Sequence, residues 1–228
     1  MNDVEERQEW VTKVIADPPP VHPDRPDGVV WHTETSCYRF MAKHVERGSR
    51  TMETGAGMST VLFAAFGCEH VAVVPFPDEA AAIEAYCDKN AIDRTSLRFD
   101  LRPSEVALPA MVGSSQIDLL FIDGCHGYPM PVIDWFYGAS LVRQGGVVVF
   151  DDIQLPQVRN LIDTFLVPDP RWVQLKTTTK WIAFQRSTSG PLAESESMQP
   201  FFPLPHRPVI DRIKAAVPPK VLGRIKPG

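Results

Sequence analysis

No apolar run in this chain of 228 residues approaches the roughly 20 that a membrane-spanning helix needs. Basic runs are missing too: Lys and Arg number 23 against 28 Asp and Glu, a formal net charge of −5. That balance offers no electrostatic footprint to a phosphate backbone or an anionic lipid surface, so neither nucleic acid nor membrane is expected as a partner. Cysteine is scarce. The four present, Cys37, Cys68, Cys87 and Cys125, show neither a CxxC pair nor a zinc spacing. Reduced thiols are therefore expected. The first residues are acidic and polar, unlike a secretion signal, which makes the cytoplasm the expected location.

Proline is in excess, with 22 residues gathered in Pro18-Pro19-Pro20 to Pro26 and in Pro191 to Pro227. Such stretches read as extended arms around a compact middle. The expected division is an N-terminal helix and Pro-rich arm over 1–33, one domain over 34–187, and a Pro-rich extension over 188–228. Met1 to Ala16 suits a short amphipathic helix with Trp10, Val11, Val14 and Ile15 on one side. Val209 to Val217 suits a short basic one, after a Ser- and Glu-rich linker. Arms of this kind suit a homodimer in which each copy embraces the other.

Between the arms, short apolar runs alternate with helical stretches. Strands are expected over Arg50–Glu53, His70–Val74, Ser96–Phe99, Ile117–Ile122, Gly146–Phe150, Trp172–Leu175 and Trp181–Gln185. Helices are expected over Ser36–Arg47, Ser59–Phe66, Asp78–Asn90, Ser104–Met111, Pro129–Val142 and Pro156–Leu166. This alternation predicts an α/β fold: a doubly wound, mostly parallel seven-stranded sheet of Rossmann-like type. The closing hairpin around Thr177-Thr178-Thr179 adds an antiparallel edge strand.

The first strand runs into Glu53-Thr54-Gly55-Ala56-Gly57-Met58-Ser59-Thr60, which opens a helix. Two glycines let backbone approach a ligand where a side chain would clash. Glu53 would repel a diphosphate and attract a ligand bearing a cationic amino group or a sulfonium. A dinucleotide enzyme would carry a third glycine where Thr60 stands. A tight turn without a ligand is the other reading of the same residues.

This octapeptide resembles motif I of the class I S-adenosylmethionine-dependent methyltransferases. The resemblance implies that Glu53, Gly55, Ala56, Gly57, Ser59 and Thr60 line the cofactor. In that family the second strand ends on an acid that holds the ribose hydroxyls, whereas here it runs Val73-Val74-Pro75-Phe76-Pro77-Asp78. Either Asp78 or Glu79 would reach back, or Phe76 would pack on the adenine. Ser104 and Glu105, after the third strand, resemble the family's adenine-side loop.

Two strongly apolar runs end in acids: Phe121-Ile122-Asp123-Gly124-Cys125-His126 and Val149-Phe150-Asp151-Asp152. If they form neighbouring parallel strands, ~4.8 Å apart, their carboxylates crowd at one sheet edge. Ligands of open α/β sheets bind at that edge. Crowded carboxylates need a cation or a proton between them, and oxygen donors suit Mg²⁺, Mn²⁺ or Ca²⁺. Consecutive strand residues point to opposite faces, so Asp151 and Asp152 reach one metal only if the chain turns there. Helix capping is the plainer reading of such acids. His126 could take a proton from a hydroxyl, or simply face solvent.

The arrangement resembles the metal-dependent O-methyltransferases of the catechol and macrolide-sugar type over about Glu34 to Arg186. It implies Asp123, Asp151 and Asp152 as ligands of a divalent metal (Mg²⁺ above all), Asp123 also beside the cofactor, and His126 as catalytic base. Histidine in place of the catechol branch's lysine points to a sugar or glycoside acceptor. Trp31, His32, Trp135, Tyr128 and Tyr137 are pocket candidates that serve equally as packing, and Arg102 and Arg143 could hold an acidic substrate. Competing readings are a non-catalytic cofactor-binding module, a metal-assisted oxygenase or hydrolase, and a metal-independent methyltransferase of a phenolic or acidic metabolite.

Overall fold

The computed structural model describes residues 3–21 and 32–189. Trp31, most of both Pro-rich arms and the helix expected over Val209–Val217 lie outside the described residues. In chain order the elements are α1 (Asp3–Ala16), α2 (Thr35–His44), β1 (Arg50–Thr54), α3 (Met58–Ala65), β2 (Glu69–Val73), α4 (Pro77–Lys89) and β3 (Leu97–Asp100). They continue with α5 (Ser104–Met111), β4 (Ile117–Ile122), α6 (Met130–Leu141), β5 (Val142–Phe150), α7 (Pro156–Leu161), β6 (Trp172–Thr177) and β7 (Ile182–Arg186). The helix expected to run unbroken to Leu166 passes from α7 into a π-helical turn over Ile162–Leu166.

The seven strands form one sheet in the order β3-β2-β1-β4-β5-β7-β6. The first five are parallel, and β7 slots antiparallel between β5 and β6. Side chains alternate across the sheet with period two, and β4 shows the consequence. Leu119 and Phe121 enter the core that includes Val61, Leu62 and Trp181. Leu120 and Ile122 enter the opposite core, with Leu108, Leu141 and Ile162. Helices cover both faces, which is why the central strands read as continuous apolar runs. Each fully buried side chain of this size contributes about 1.5–3 kcal/mol. The helix of the N-terminal segment joins the first core through Val11 and Val14, and Arg7 Nε donates to Ala42 O at 2.7 Å.

Strand β5 starts earlier than its apolar run. Ile117 pairs with Val142 but Leu119 with Val147, so the intervening residues bulge, and Gly145 takes φ 79° there. Beyond the bulge the register places Ile122 opposite both Thr54 and Phe150. The chain order reverses direction at β1, which leaves a crevice at the carboxyl ends of β1 and β4.

Candidate active site

A cavity of about 830 Å³ opens at that crevice. Its floor is the joined tips of β1 and β4. Asp123 N–H donates to Thr54 O at 3.1 Å, and Gly55 N–H to Val73 O at 3.0 Å. Gly55 has φ 89°, and a Cβ there would lie 2.6 Å from the Asp123 carbonyl oxygen. Only glycine tolerates both conditions. Gly57 differs: a Cβ on it would meet nothing within 4 Å, so the protein itself leaves that space open.

Of the residues expected beside a cofactor, Gly55, Ala56, Phe76, Ser104 and Asp123 stand in the cavity wall; Glu53, Gly57, Ser59 and Thr60 do not. The charge of Glu53 suggested a side chain turned to a cationic ligand. Its carboxylate is 1% exposed and points into the protein instead. Ser59 Oγ donates to Glu53 Oε2 at 2.5 Å, Thr60 Oγ1 donates to Oε1, and His70 Nε2 lies 3.0 Å from the same oxygen. Thr51 Oγ1 in turn sits 2.8 Å from His70 Nδ1. A buried carboxylate with three donors is satisfied, and here it ties β1, β2 and the start of α3 together. Of the two acids that could reach back from α4, Glu79 is in the wall and Asp78 is exposed outside it. Phe76 is 57% exposed, a bare aromatic face at the rim.

Across the cavity the acids meet. Asp123, His126 and Asp152 each offer a ligand atom within 4.8 Å of the others. His126 Nε2 lies 3.5 Å from Asp123 Oδ1, and Nδ1 lies 3.4 Å from Asp152 Oδ2. Asp151, expected in the metal set, is directed elsewhere. It is 2% exposed, with Oδ1 accepting from Thr33 Oγ1 at 2.5 Å and Oδ2 held by Lys180 Nζ at 3.2 Å. The cause is the strand alternation, broken only at the next residue, where Asp152 takes φ 51° and turns into the cavity.

Burial pushes the Asp123 carboxyl up to about 7, although His126 beside it opposes the rise. Burial and the Asp152 charge raise Asp151 against the pull of Thr33 and Lys180. Hydrogen bonds from Lys180 and Gln154 outweigh burial at Asp152 and hold it low. Burial alone would lower His126, but Asp123 beside it and the charges of Asp152 and Asp151 raise it. Its Nε2 is buried with no hydrogen-bond partner among the described residues. A neutral imidazole has one free lone pair, so His126 can serve a cation or a proton at a given moment, not both.

Several residues of the site went unnoticed in the sequence. Lys180, between β6 and β7, is in the wall and bridges Asp151 and Asp152. Its position depends on β7 being inserted beside β5, which no local motif announces. In the sequence His70 reads only as a strand residue, and Asp134 only as a helix residue. Asp134 is 1% exposed on α6 beside Thr54 and Ser104. Among the aromatic candidates, His32 lines the cavity. Trp135 packs against Trp172 and Phe150 with ring centroids 4.8 and 5.7 Å away, and Tyr128 is 81% exposed. Arg102 and Arg143 are paired with Asp100 and Asp118 at 2.6 and 2.5 Å, away from the wall.

Residues 52–153 match the sequence model of a family described as a methyltransferase domain. No curated protein sequence matches the chain. Among solved structures, the SAH-bound methyltransferase PaMTH1 of Podospora anserina gives a TM-score of 0.55 at 17% identity, covering 82% of this chain and 89% of that one. The O-methyltransferase TomG of Streptomyces achromogenes, involved in tomaymycin synthesis and determined in complex with SAM, gives 0.57 at 17% identity, covering 79% and 90%. An rRNA methylase of Streptococcus thermophilus gives 0.54 at 10% identity, covering 70% and 99%. At such identities the likeness is one of fold, and a fold shared by enzymes with such different acceptors does not choose the acceptor.

Proposed function

We propose that the chain is a class I S-adenosylmethionine-dependent methyltransferase and that it methylates a hydroxyl oxygen of a neutral small molecule of the sugar or glycoside class. The observation that carries the reading is the convergence of Asp123, His126 and Asp152 in the same cavity wall as the Gly55–Ala56 turn.

The residues present fit the cofactor. The Gly55–Ala56 backbone, the exposed ring of Phe76 and the side chains of Ser104 and Glu79 would form a cradle for a nucleoside with a charged tail. Phe76 would stack on the base, and Glu79 would take the ribose role that Pro75 cannot. When bound, S-adenosylmethionine supplies an electrophilic methyl group. The carboxylates of Asp123 and Asp152, gathered around His126, also fit a hard divalent cation, which leaves the imidazole for the proton. Asp123 and Asp152 would hold such a cation, whose chemistry is to lower the pKa of an acceptor hydroxyl.

The chain's own contribution is positioning and proton removal. His126 would accept the hydroxyl proton at Nε2, the sulfonium's S–CH3 bond breaking as the O–CH3 bond forms to leave S-adenosylhomocysteine, and Asp152 at Nδ1 orients the ring. The closed floor and apolar wall of Val73, Val74 and Met130 limit water at the reacting oxygen. Acids outnumber bases in the wall: Glu79, Glu105, Asp123, Asp151 and Asp152 against Lys180, His126 and His32. That field disfavours an acidic acceptor and suits polyol hydroxyls, which donate to carboxylates.

The test is methyl transfer from S-adenosylmethionine to a panel of glycosides and phenols. His126→Ala should lower kcat about 10²–10⁴-fold with cofactor affinity unchanged. Cofactor binding without transfer to any hydroxyl would sink the enzymatic reading, and equal loss of both parameters would remove the base. Activity undiminished by a chelator would remove the cation.

A further inference from the structure

We propose that Lys180 is a built-in counter-ion of the acid cluster, one that competes with a divalent cation for Asp152 and thereby sets the metal affinity of the site. The inference rests on the metal-assisted reading above and extends it to a residue outside the ligand set.

Lys180 is held where it is by backbone, not by chance. Its carbonyl accepts from Ile153 N–H at 2.9 Å, which fastens the β6–β7 turn to the chain just beyond the β5 tip. Within the turn, Thr178 Oγ1 accepts from the N–H groups of Lys180 and Trp181, both at 3.1 Å, and Thr178 N–H donates to Trp181 O at 2.9 Å. The Lys180 ammonium bridges Asp151 Oδ2 at 3.2 Å and Asp152 Oδ1.

This bridge divides the oxygens of Asp152 between two tasks. Oδ1 accepts from Lys180 and, at 2.7 Å, from Gln154 Nε2, while Oδ2 faces His126. A cation therefore meets Asp152 through one oxygen only. It also meets three clustered carboxylates from which one unit of negative charge has already been neutralised. Asp151 has both oxygens engaged, by Thr33 and Lys180, so it contributes charge to the cluster but no free donor atom. At the short distances of this half-buried cluster, one unit of charge changes the attraction for a dication by more than the roughly 1.4 kcal/mol of a tenfold step in affinity.

The sign of the effect separates a counter-ion from a structural prop. Losing a prop loosens the acids and weakens metal binding, whereas losing a competing charge strengthens it. The measurement is Mn²⁺ affinity of the full chain, by electron paramagnetic resonance and calorimetry, without cofactor or acceptor. Lys180→Met is expected to bind Mn²⁺ at least about tenfold more tightly than the unaltered protein. Lys180→Arg, which keeps the charge, should stay within about threefold of it. Lys180→Gln removes the charge while keeping a donor for the aspartates, and it serves as the neutral variant if methionine disturbs folding. Equal or weaker Mn²⁺ binding in the folded neutral variant overturns the proposal, as does a protein that binds Mn²⁺ in neither form. Failure of the functional reading looks different. Tightened Mn²⁺ binding with no methyl transfer to any hydroxyl would sink the enzyme and leave the counter-ion standing.

Discussion

Replacing Asp134 by asparagine should stabilise the protein at alkaline pH and do nothing near pH 4. The side chain is 1% exposed on α6, and burial pushes its carboxyl from the ordinary 3.8 up to about 6, with Thr54 and Ser104 hydroxyls opposing. One oxygen, Oδ1, has no hydrogen-bond partner among the described residues. At ~1.36 kcal/mol per pKa unit, the folded protein holds this proton about 3 kcal/mol more tightly than the unfolded chain does. Because the folded value is the higher one, the stabilisation is complete below about pH 4 and is lost as pH rises through about 6. Above that, the wild-type protein contains an ionised carboxylate that its surroundings disfavour. Asparagine keeps the shape and the polarity but carries no charge. Urea unfolding followed by circular dichroism, in steps from pH 4 to 8, should show a gap opening to as much as about 3 kcal/mol in favour of Asp134→Asn. Other titrating groups are common to both proteins and largely cancel in the difference. A gap that stays flat across this range, or a variant less stable than wild type at pH 8, would refute the reasoning.

The turn and the network behind it carry their own tests. Gly55→Ala should lose about 2 kcal/mol or more of stability in urea unfolding, since a Cβ there would lie 2.6 Å from the Asp123 carbonyl oxygen and φ is 89°; an unchanged midpoint would mean the strand tips are not packed as described. Glu53→Ala should cost about 3–5 kcal/mol in thermal unfolding, because Ser59, Thr60 and His70 all lose their acceptor inside the protein. Glu53→Gln should cost less; a glutamine variant as unstable as the alanine variant would deny that the lost acceptor is what matters.

The sequence by itself settled whatever depends on neighbours along the chain. Strand and helix order followed from hydrophobic period, so the alternation from Arg50 to Arg186 was legible, as was the pairing of two apolar runs that each end in aspartate. Gly55 was legible for a like reason: a strand entering a helix through a sharp turn demands a residue free to take positive φ. The bulge before Val147 was not, since the apolar run that marks the strand begins only at Gly146 while pairing begins at Val142.

What the tertiary structure decided was direction and company. Glu53 carries a charge that invited a ligand, yet Ser59, Thr60 and His70 surround it, and His70 arrives from another strand. Asp151 and Asp152 are adjacent in the chain but part ways, since backbone alternation sends one to Thr33 and a left-handed turn sends the other to His126. Lys180 joins the acids only because β7 inserts between β5 and β6. A periodic pattern records which face of an element is apolar, whereas the partner of a buried charge is fixed by which elements lie side by side, and that comes from packing the whole sheet.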